Sequence, residues 1–323
     1  NISGNGIVEF NLNNIQNTFM KIVQLSGGIG NQMFQFAFGK AIESKQSDVV
    51  LFDKDTWFYK DSIRFNKKTG LTDDGRCKRE FELGIFKLPE SSFAKKENVC
   101  RLRKKSIFPK AIRKILGIGR YKFLVKERKE FCFDEELLNI KTDAYYEGFF
   151  QNELYFYNIR DVLLDIFQFP HLDPLDVENI ELLNFIENSD NSVFIHVRRE
   201  DYVNLNMTLS LDYYKKAVDK IYSLVKDPHF YVFCAEDPSY IRDNFKFLNN
   251  YELVGTKNNK RNNYWVNMLM MSKCKHAIIA NSSYSWWGAW LIKNPNKFVL
   301  APSPWLFGND NIICKDWVKI KYK

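Results

Sequence analysis

The sequence predicts an α/β protein of two Rossmann-like domains. Short β-branched or aromatic runs alternate with helical periodicity in both halves, the pattern of parallel sheets covered by helices. A turn-rich break at Pro170, Asp173 and Pro174 separates the halves. The 323 residues suffice for two domains of about 100–200 residues, and a 45% hydrophobic content can fill both cores. The expected division is residues 20–170 and 171–323, with residues 1–19 a polar extension left outside the fold.

In the first half, residues 21–25 form an apolar strand, and Ser26, Gly27, Gly28, Ile29, Gly30 and Asn31 a glycine-rich turn. A helix over residues 32–44 and a strand over 48–52 follow. The dinucleotide fingerprint G-x-G-x-x-G is incomplete, because Met33 stands at its third glycine. Residues 53–79 read as irregular, 145–150 as a strand, and 151–167 as one long helix by apolar periodicity. In the second half a helix spans 176–188 and a strand 193–197. Ser210 caps a helix through 225, and a strand covers 230–235. Glu236 and Asp237 make an acidic turn before a helix that opens at Pro238. Strand 251–254, a polar loop over 255–262, helix 263–274, strand 277–280, a helix from Tyr284 and a last strand over 297–301 complete the chain.

Two strand ends carry the chemistry. Strand 193–197 runs into Arg198, Arg199, Glu200 and Asp201, which delivers charge to the carboxyl edge of a sheet, where ligands of open α/β sheets bind. Arginine suits two-pronged contact with phosphate oxygens. The residues point to a pyrophosphate or nucleotide site, with His196 at the strand end and Asp201 fixing an arginine or a ribose hydroxyl. A strand followed by a solvated charged loop is the plainer reading. Strand 277–280 leads through Asn281, Ser282 and Ser283 into a helix start, which supplies free backbone N–H groups and the positive end of a helix dipole to an anion. Trp286, Trp287 and Trp290 read as core.

The run His-Val-Arg-Arg-Glu-Asp-Tyr at 196–202 resembles the first motif of the α-1,2- and α-1,6-fucosyltransferase superfamily. Residues 281–291 and 25–35 closely resemble motifs of the bacterial and animal α-1,2-fucosyltransferases, glycosyltransferase family 11, and all three stand in that family's order. The Phe81-to-Phe86 stretch also resembles the family, but Gly84 replaces a common Asp. The resemblance implies a GT-B architecture with the active site in the cleft between the domains, and the donor in the C-terminal one. It implies an inverting transfer of L-fucose from GDP-fucose to the 2-hydroxyl of a terminal galactose in a glycan, with no metal. By motif match, Arg198 holds the β-phosphate and stabilises charge on departing GDP, beside Arg199 and Asn281. His196 lies by the guanine or ribose, Asp201 orients the loop, and Ser282 and Ser283 bond the pyrophosphate. Asn31 and Gln32 line the cleft from the other domain. No base for the acceptor hydroxyl stands out among Asp201, Glu236 and Asp237. The Asp-x-Asp pair Asp53 and Asp55 reads as a polar loop after a strand, not as a metal site.

The net charge of +8 and pI near 9.0 suit an anionic ligand, an anionic membrane or nucleic acid. A nucleic-acid binder would need a reading module, which the sequence lacks. A non-catalytic carbohydrate-binding protein would not need Arg198 or the Ser282–Ser283 turn. The stretch from Lys95 to Lys114 is strongly basic with interleaved isoleucines. Charge runs are usually solvated faces, and contact with an anionic membrane or a lipid-linked acceptor is the sharper alternative. Six scattered cysteines without a C-x-x-C pair, no membrane-length apolar run and no leader pattern predict a cytoplasmic protein, at the inner face of the bacterial membrane on that alternative.

Overall fold

The structure is a computed structural model that describes residues 18–46, 48–66, 71–72, 78–115, 119–234, 237–254 and 264–322. Residues 1–17 of the expected extension 1–19, the stretch 255–262 expected as a polar loop, Cys77 and Glu236 lie outside these residues. The first half holds β1 (Met20–Gln24), α1 (Ile29–Gln46), β2 (Val49–Asp53), α2 (Thr56–Arg64), the two-residue pair β3 (Phe65–Asn66) and β4 (Leu71–Thr72), α3 (Lys96–Leu102), α4 (Lys110–Ile115), β5 (Leu124–Lys126), β6 (Ala144–Glu147) and α5 (Arg160–Ile166). The second half holds α6 (Val177–Asn188), β7 (Ser192–His196), α7 (Glu200–Asn204), α8 (Leu211–Leu224), β8 (His229–Phe233), α9 (Pro238–Asn244), β9 (Tyr251–Val254), α10 (Tyr264–Lys273), β10 (His276–Ile278), α11 (Ser283–Trp290), β11 (Val299–Ser303) and β12 (Val318–Lys321).

Two parallel sheets result, ordered β2-β1-β6-β5 and β12-β11-β10-β7-β8-β9. This is the two-unit α/β architecture of the GT-B type. Strand β7 is buried along its whole length, as a central parallel strand covered on both faces must be. The cap read from sequence is in place, with Ser210 Oγ accepting from Tyr213 N, and Asp237 of the acidic turn caps the next helix, its Oδ1 accepting from Tyr240 N.

Three expectations need correction. Residues 53–79, read as irregular, carry α2 and the short pair β3 and β4. Residues 151–167 do not form one helix. Asn152 caps a short 3₁₀ turn, Glu153–Tyr155, a second turn covers Tyr157–Ile159, and only α5 is α-helical. The Asn152 amide also donates to Phe131 O and Asn311 O, so it is tied across the fold and no helix runs through it. Strand 297–301 is not the last, because β12 adds an outer strand beside β11.

Helix α1 is buried along most of its length, and its neighbours come from both halves. Phe34 lies 4.4 Å from Trp286 and 5.1 Å from Trp287, ring centre to ring centre, and Phe156 stacks on Trp287 at 5.6 Å. The tryptophans are core, as expected, and each indole N–H has an acceptor: Ile312 O for Trp286, Gly30 O for Trp287 and Glu153 Oε1 for Trp290. One apolar core thus runs from the first sheet through α1 and α11 into the second.

Candidate active site

The loop after β7 is organised by Asp201. Arg198 Nη2 donates to Asp201 Oδ1 at 2.6 Å, and Arg79 Nη2 donates to Asp201 Oδ2 at 3.3 Å. The Asp201 side chain is 7% exposed. Burying a carboxylate is tolerable when both oxygens meet cations, and here one cation comes from each half of the chain. Arg198 also lies 5.3 Å from the Tyr202 ring centre. Asp201 therefore ties Arg198 and Arg79 together across the two halves. Arg199 has a different anchor: its Nε donates to Asp237 Oδ2 at 2.7 Å, and its guanidinium covers the Tyr240 ring at 3.7 Å. Its placement fastens the β7 loop to α9. Asp237 caps α9 while holding Arg199, which leaves it ill placed to act as a base.

His196, at the end of β7, is 5% exposed, with its ring centre 5.5 Å from that of Tyr284. Burial, and then the charge of Arg198, lower its pKa to about 3, so the imidazole is neutral. Among the described residues, neither its buried Nδ1 nor the buried Asn281 Oδ1 has a hydrogen-bond partner. These orphaned atoms lie at the last residue of β7 and three residues beyond β10, strands that pair directly. An unsatisfied buried polar group costs about 1–3 kcal/mol, so two on adjoining strand ends mark a place where a ligand can supply partners. The rest of Asn281 is engaged, its Nδ2 donating to Met207 O and its carbonyl accepting from Tyr202 Oη.

The other half meets this edge at α1. Ser282 caps α11 through Tyr284 N, and Ser283 Oγ donates to Asn31 Oδ1 at 2.6 Å. Asn31 Oδ1 also accepts from Gln151 Nε2 at 2.7 Å. Gly27, at φ +72°, turns the chain so that Asn31 can take this position; a Cβ there would lie 2.5 Å from Asn31 Nδ2. Gln32 does not line a cleft. It is fully buried, its Nε2 donating to Gly27 O and Glu80 O and its Oε1 accepting from Glu82 N, so it fastens the stretch bearing Arg79 onto α1. At the far end of α11, Lys297 Nζ donates to Ala289 O, Trp290 O and Ile292 O, and Arg160 Nη2 donates to Trp290 O. Arg160 at this end complements the helix dipole whose positive end lies at Ser283, while burial, and then the charge of Arg160, lower the pKa of Lys297 to about 7.

The structure thus brings together His196, Arg198, Asp201, Asn281, Ser282, Ser283 and Asn31, and adds Arg79 and Tyr284, which the sequence reading missed. Arg79 stands two residues before the family-like Phe81 stretch, the one local sign of it. Gly84 is exposed in its 3₁₀ turn, so the acid missing there takes nothing from this cluster. Asp53 is a structural cap: Oδ1 accepts from Asp55 N and Thr56 N, and Oδ2 from Tyr145 Oη at 2.6 Å. Among the described residues, no group of three or more His, Cys, Asp or Glu is placed to hold a metal ion.

The family model described as glycosyl transferase family 11 matches residues 123–321, from just before β5 through β12. The chain belongs to this family. It is 31% identical over 315 residues to the O-antigen biosynthesis glycosyltransferase WbnK of Escherichia coli, spanning 92% of this chain and 99% of that one. It is 29% identical over 320 residues to an alpha-1,2-colitosyltransferase of Escherichia coli, spanning 93% and 98%. Among solved structures it is similar to the NodZ alpha-1,6-fucosyltransferase co-crystallised with GDP, with 12% identity, a TM-score of 0.46, and coverage of 84% of this chain and 91% of that one. A family 11 chain is a fucosyltransferase-like glycosyltransferase, which replaces the readings as a nucleic-acid binder or a non-catalytic lectin. Two arginines on one carboxylate, beside a helix N-terminus and two orphaned polar atoms, can receive an anionic leaving group.

Proposed function

We propose that this family 11 glycosyltransferase moves L-fucose from GDP-fucose to the 2-hydroxyl of a terminal galactose, with inversion and without a metal. The observation that carries the reading is Arg198, held by Asp201 just after β7, the strand that pairs with β10, which leads into α11. The acceptor oxygen bonds to the fucose anomeric carbon as the bond from that carbon to the β-phosphate oxygen breaks. The electron pair of that bond stays on GDP, and Arg198 with the helix N-terminus stabilises the charge that builds there. Neutral His196 offers a hydrogen bond to the nucleoside without adding a second cation. Asp201, with both oxygens on arginines, orients Arg198, and the acceptor proton leaves to solvent or to the departing phosphate.

The alpha-1,2-colitosyltransferase relative favours a second reading in which the transferred sugar is colitose, which is fucose without its 3-hydroxyl. Incubation with GDP-fucose and lactose, followed by linkage analysis, tests the first reading; a parallel reaction with GDP-colitose tests the second. A fucosyl-α-1,2-galactose product is expected. No product from GDP-fucose, with product from GDP-colitose, would move the assignment to the second sugar.

A further inference from the structure

The stretch from Lys95 to Lys114 remains unused by the reaction. Residues 95–115 hold nine basic side chains and one acidic, a net +8 that equals the formal charge of the whole chain; outside them 38 basic residues balance 38 acidic. Arg101 and Arg103 pair with Asp143 and Glu147, whereas Lys104, Lys105, Lys110 and Lys114 are exposed, with no ion pair among the described residues. Beside these lysines stand large apolar side chains in solvent: Ile107 is 86% exposed and Ile115 84%, with Phe108 and Ile112 at 43% each. On α4, Ile112 and Ile115 are one turn apart and share a face, which Lys110, Arg113 and Lys114 flank. The root is firmly held. Ser106 N donates to Arg120 O and Lys122 N to Lys104 O, Arg103 packs over the Tyr145 ring at 4.8 Å, and Leu102 is buried against the first sheet.

We propose that this projection docks the enzyme on an anionic phospholipid surface. Charge alone would suit any polyanion, but phosphates give Ile107 and Ile115 nothing to bind. An interface with headgroups above and acyl chains below receives both, the lysines lying at the headgroups while the isoleucines enter the acyl boundary. The root leads directly to the site. Glu147, which holds Arg103, ends β6, and four residues later Gln151 donates to Asn31. Docking would therefore orient the active site relative to the membrane.

The test is co-sedimentation of the full chain with vesicles of phosphatidylcholine alone, and of phosphatidylcholine and phosphatidylglycerol in equal parts. Binding to the anionic vesicles only is expected. A Lys104→Glu/Lys105→Glu variant should bind roughly a hundredfold more weakly, and an Ile107→Ser/Ile115→Ser variant roughly tenfold. Both should melt as the wild type does and transfer sugar to a soluble acceptor at the wild-type rate, since these side chains are exposed and outside the site. Equal binding to neutral and anionic vesicles would overturn the proposal. So would full vesicle binding by the isoleucine variant together with displacement by duplex RNA, which would make the projection a polyanion surface. Neither result depends on which sugar is transferred.

Discussion

Replacing Gly30 with alanine tests whether the contact between the two helix N-termini organises the site. Gly30 lies in the first turn of α1 with an ordinary helical φ, so alanine is conformationally welcome there and would add up to about 1 kcal/mol through helix propensity. Opposing this, a Cβ at Gly30 would lie 2.6 Å from Ser283 C and 2.7 Å from Ser283 O and Tyr284 N. These are backbone atoms, so no rotamer change relieves the clash. Restoring ordinary contact needs about 1 Å of separation between α1 and α11, and overpacking of this kind costs about 1–3 kcal/mol. The cost outweighs the gain. The shift would open the Ser283–Asn31 bond and displace the turn between β10 and α11, and a misplacement near 1 Å can reduce turnover by about a hundredfold. Gly30→Ala should thus lower the melting temperature and reduce kcat/KM for GDP-fucose by about that factor. Gly84→Ala is the control, since its Cβ would meet only Phe81 Cε1 at 3.6 Å, and it should be neutral in both assays. A Gly30→Ala enzyme that melts higher than wild type and turns over within twofold of it would refute the reasoning.

Arg198→Ala should lower the melting temperature, because it leaves Asp201 Oδ1 without its cation, and should lower kcat by about 10²–10³-fold when assayed well below that temperature, and Arg198→Lys should not restore the rate, because lysine lacks the planar fork; near wild-type turnover of the folded enzyme in either would remove Arg198 from the mechanism. GDP at about a hundred times its Kd should stabilise the fold by about 2.7 kcal/mol and guanosine far less. Ser283→Ala should reduce the GDP shift; equal shifts from GDP and guanosine would show the phosphate site to be misplaced. Transfer should persist in excess EDTA, and activity that returned only with Mn²⁺ would direct attention to Asp53 and Asp55. The folded-state pKa of His196 lies below its unfolded value, so the unfolded chain binds the extra proton between pH 6.5 and about 3, and stability from this group is lost as pH falls through that window. His196→Gln should flatten the stability–pH curve there, and an unchanged slope would contradict a buried neutral imidazole.

Much of this was legible because the deciding signals are local. Ser210, the Asp237-Pro238 pair and the apolar run 251–254 announce their elements through caps and composition, and the structure places all three where they were read. The alternation of strand and helix gave both sheets for the same reason. Local periodicity misled at 151–167, where Asn152 is spent on partners 21 and 159 residues away. It also missed β5, three residues long and at a sheet edge. In the site, strand ends and helix caps revealed His196, Arg198, Asn281 and Ser283. Arg79 stayed hidden because its only mark is a carboxylate 122 residues away. Gln32 resembled a cleft residue through its neighbour Asn31, but it lies on another side of the same helix, where backbone groups use up its amide.

The aromatic seam that joins α1 to α11 bears on how such enzymes can be recombined. A chimera that joins the first 170 residues of this chain to the second half of a relative inherits Gly30, Asn31 and Phe34 from one parent and Ser283, Trp286 and Trp287 from the other. All of these surfaces fit at atomic spacing. Helix α1 is fitted as closely to the first sheet, where Gly39 leaves no room for a Cβ beside Phe52 and Phe38 stacks on Phe150 at 3.9 Å. Neither half is therefore a module by itself, and an exchange cut at either side of α1 would pair surfaces that were never fitted to one another unless the residues facing α1 are exchanged with it.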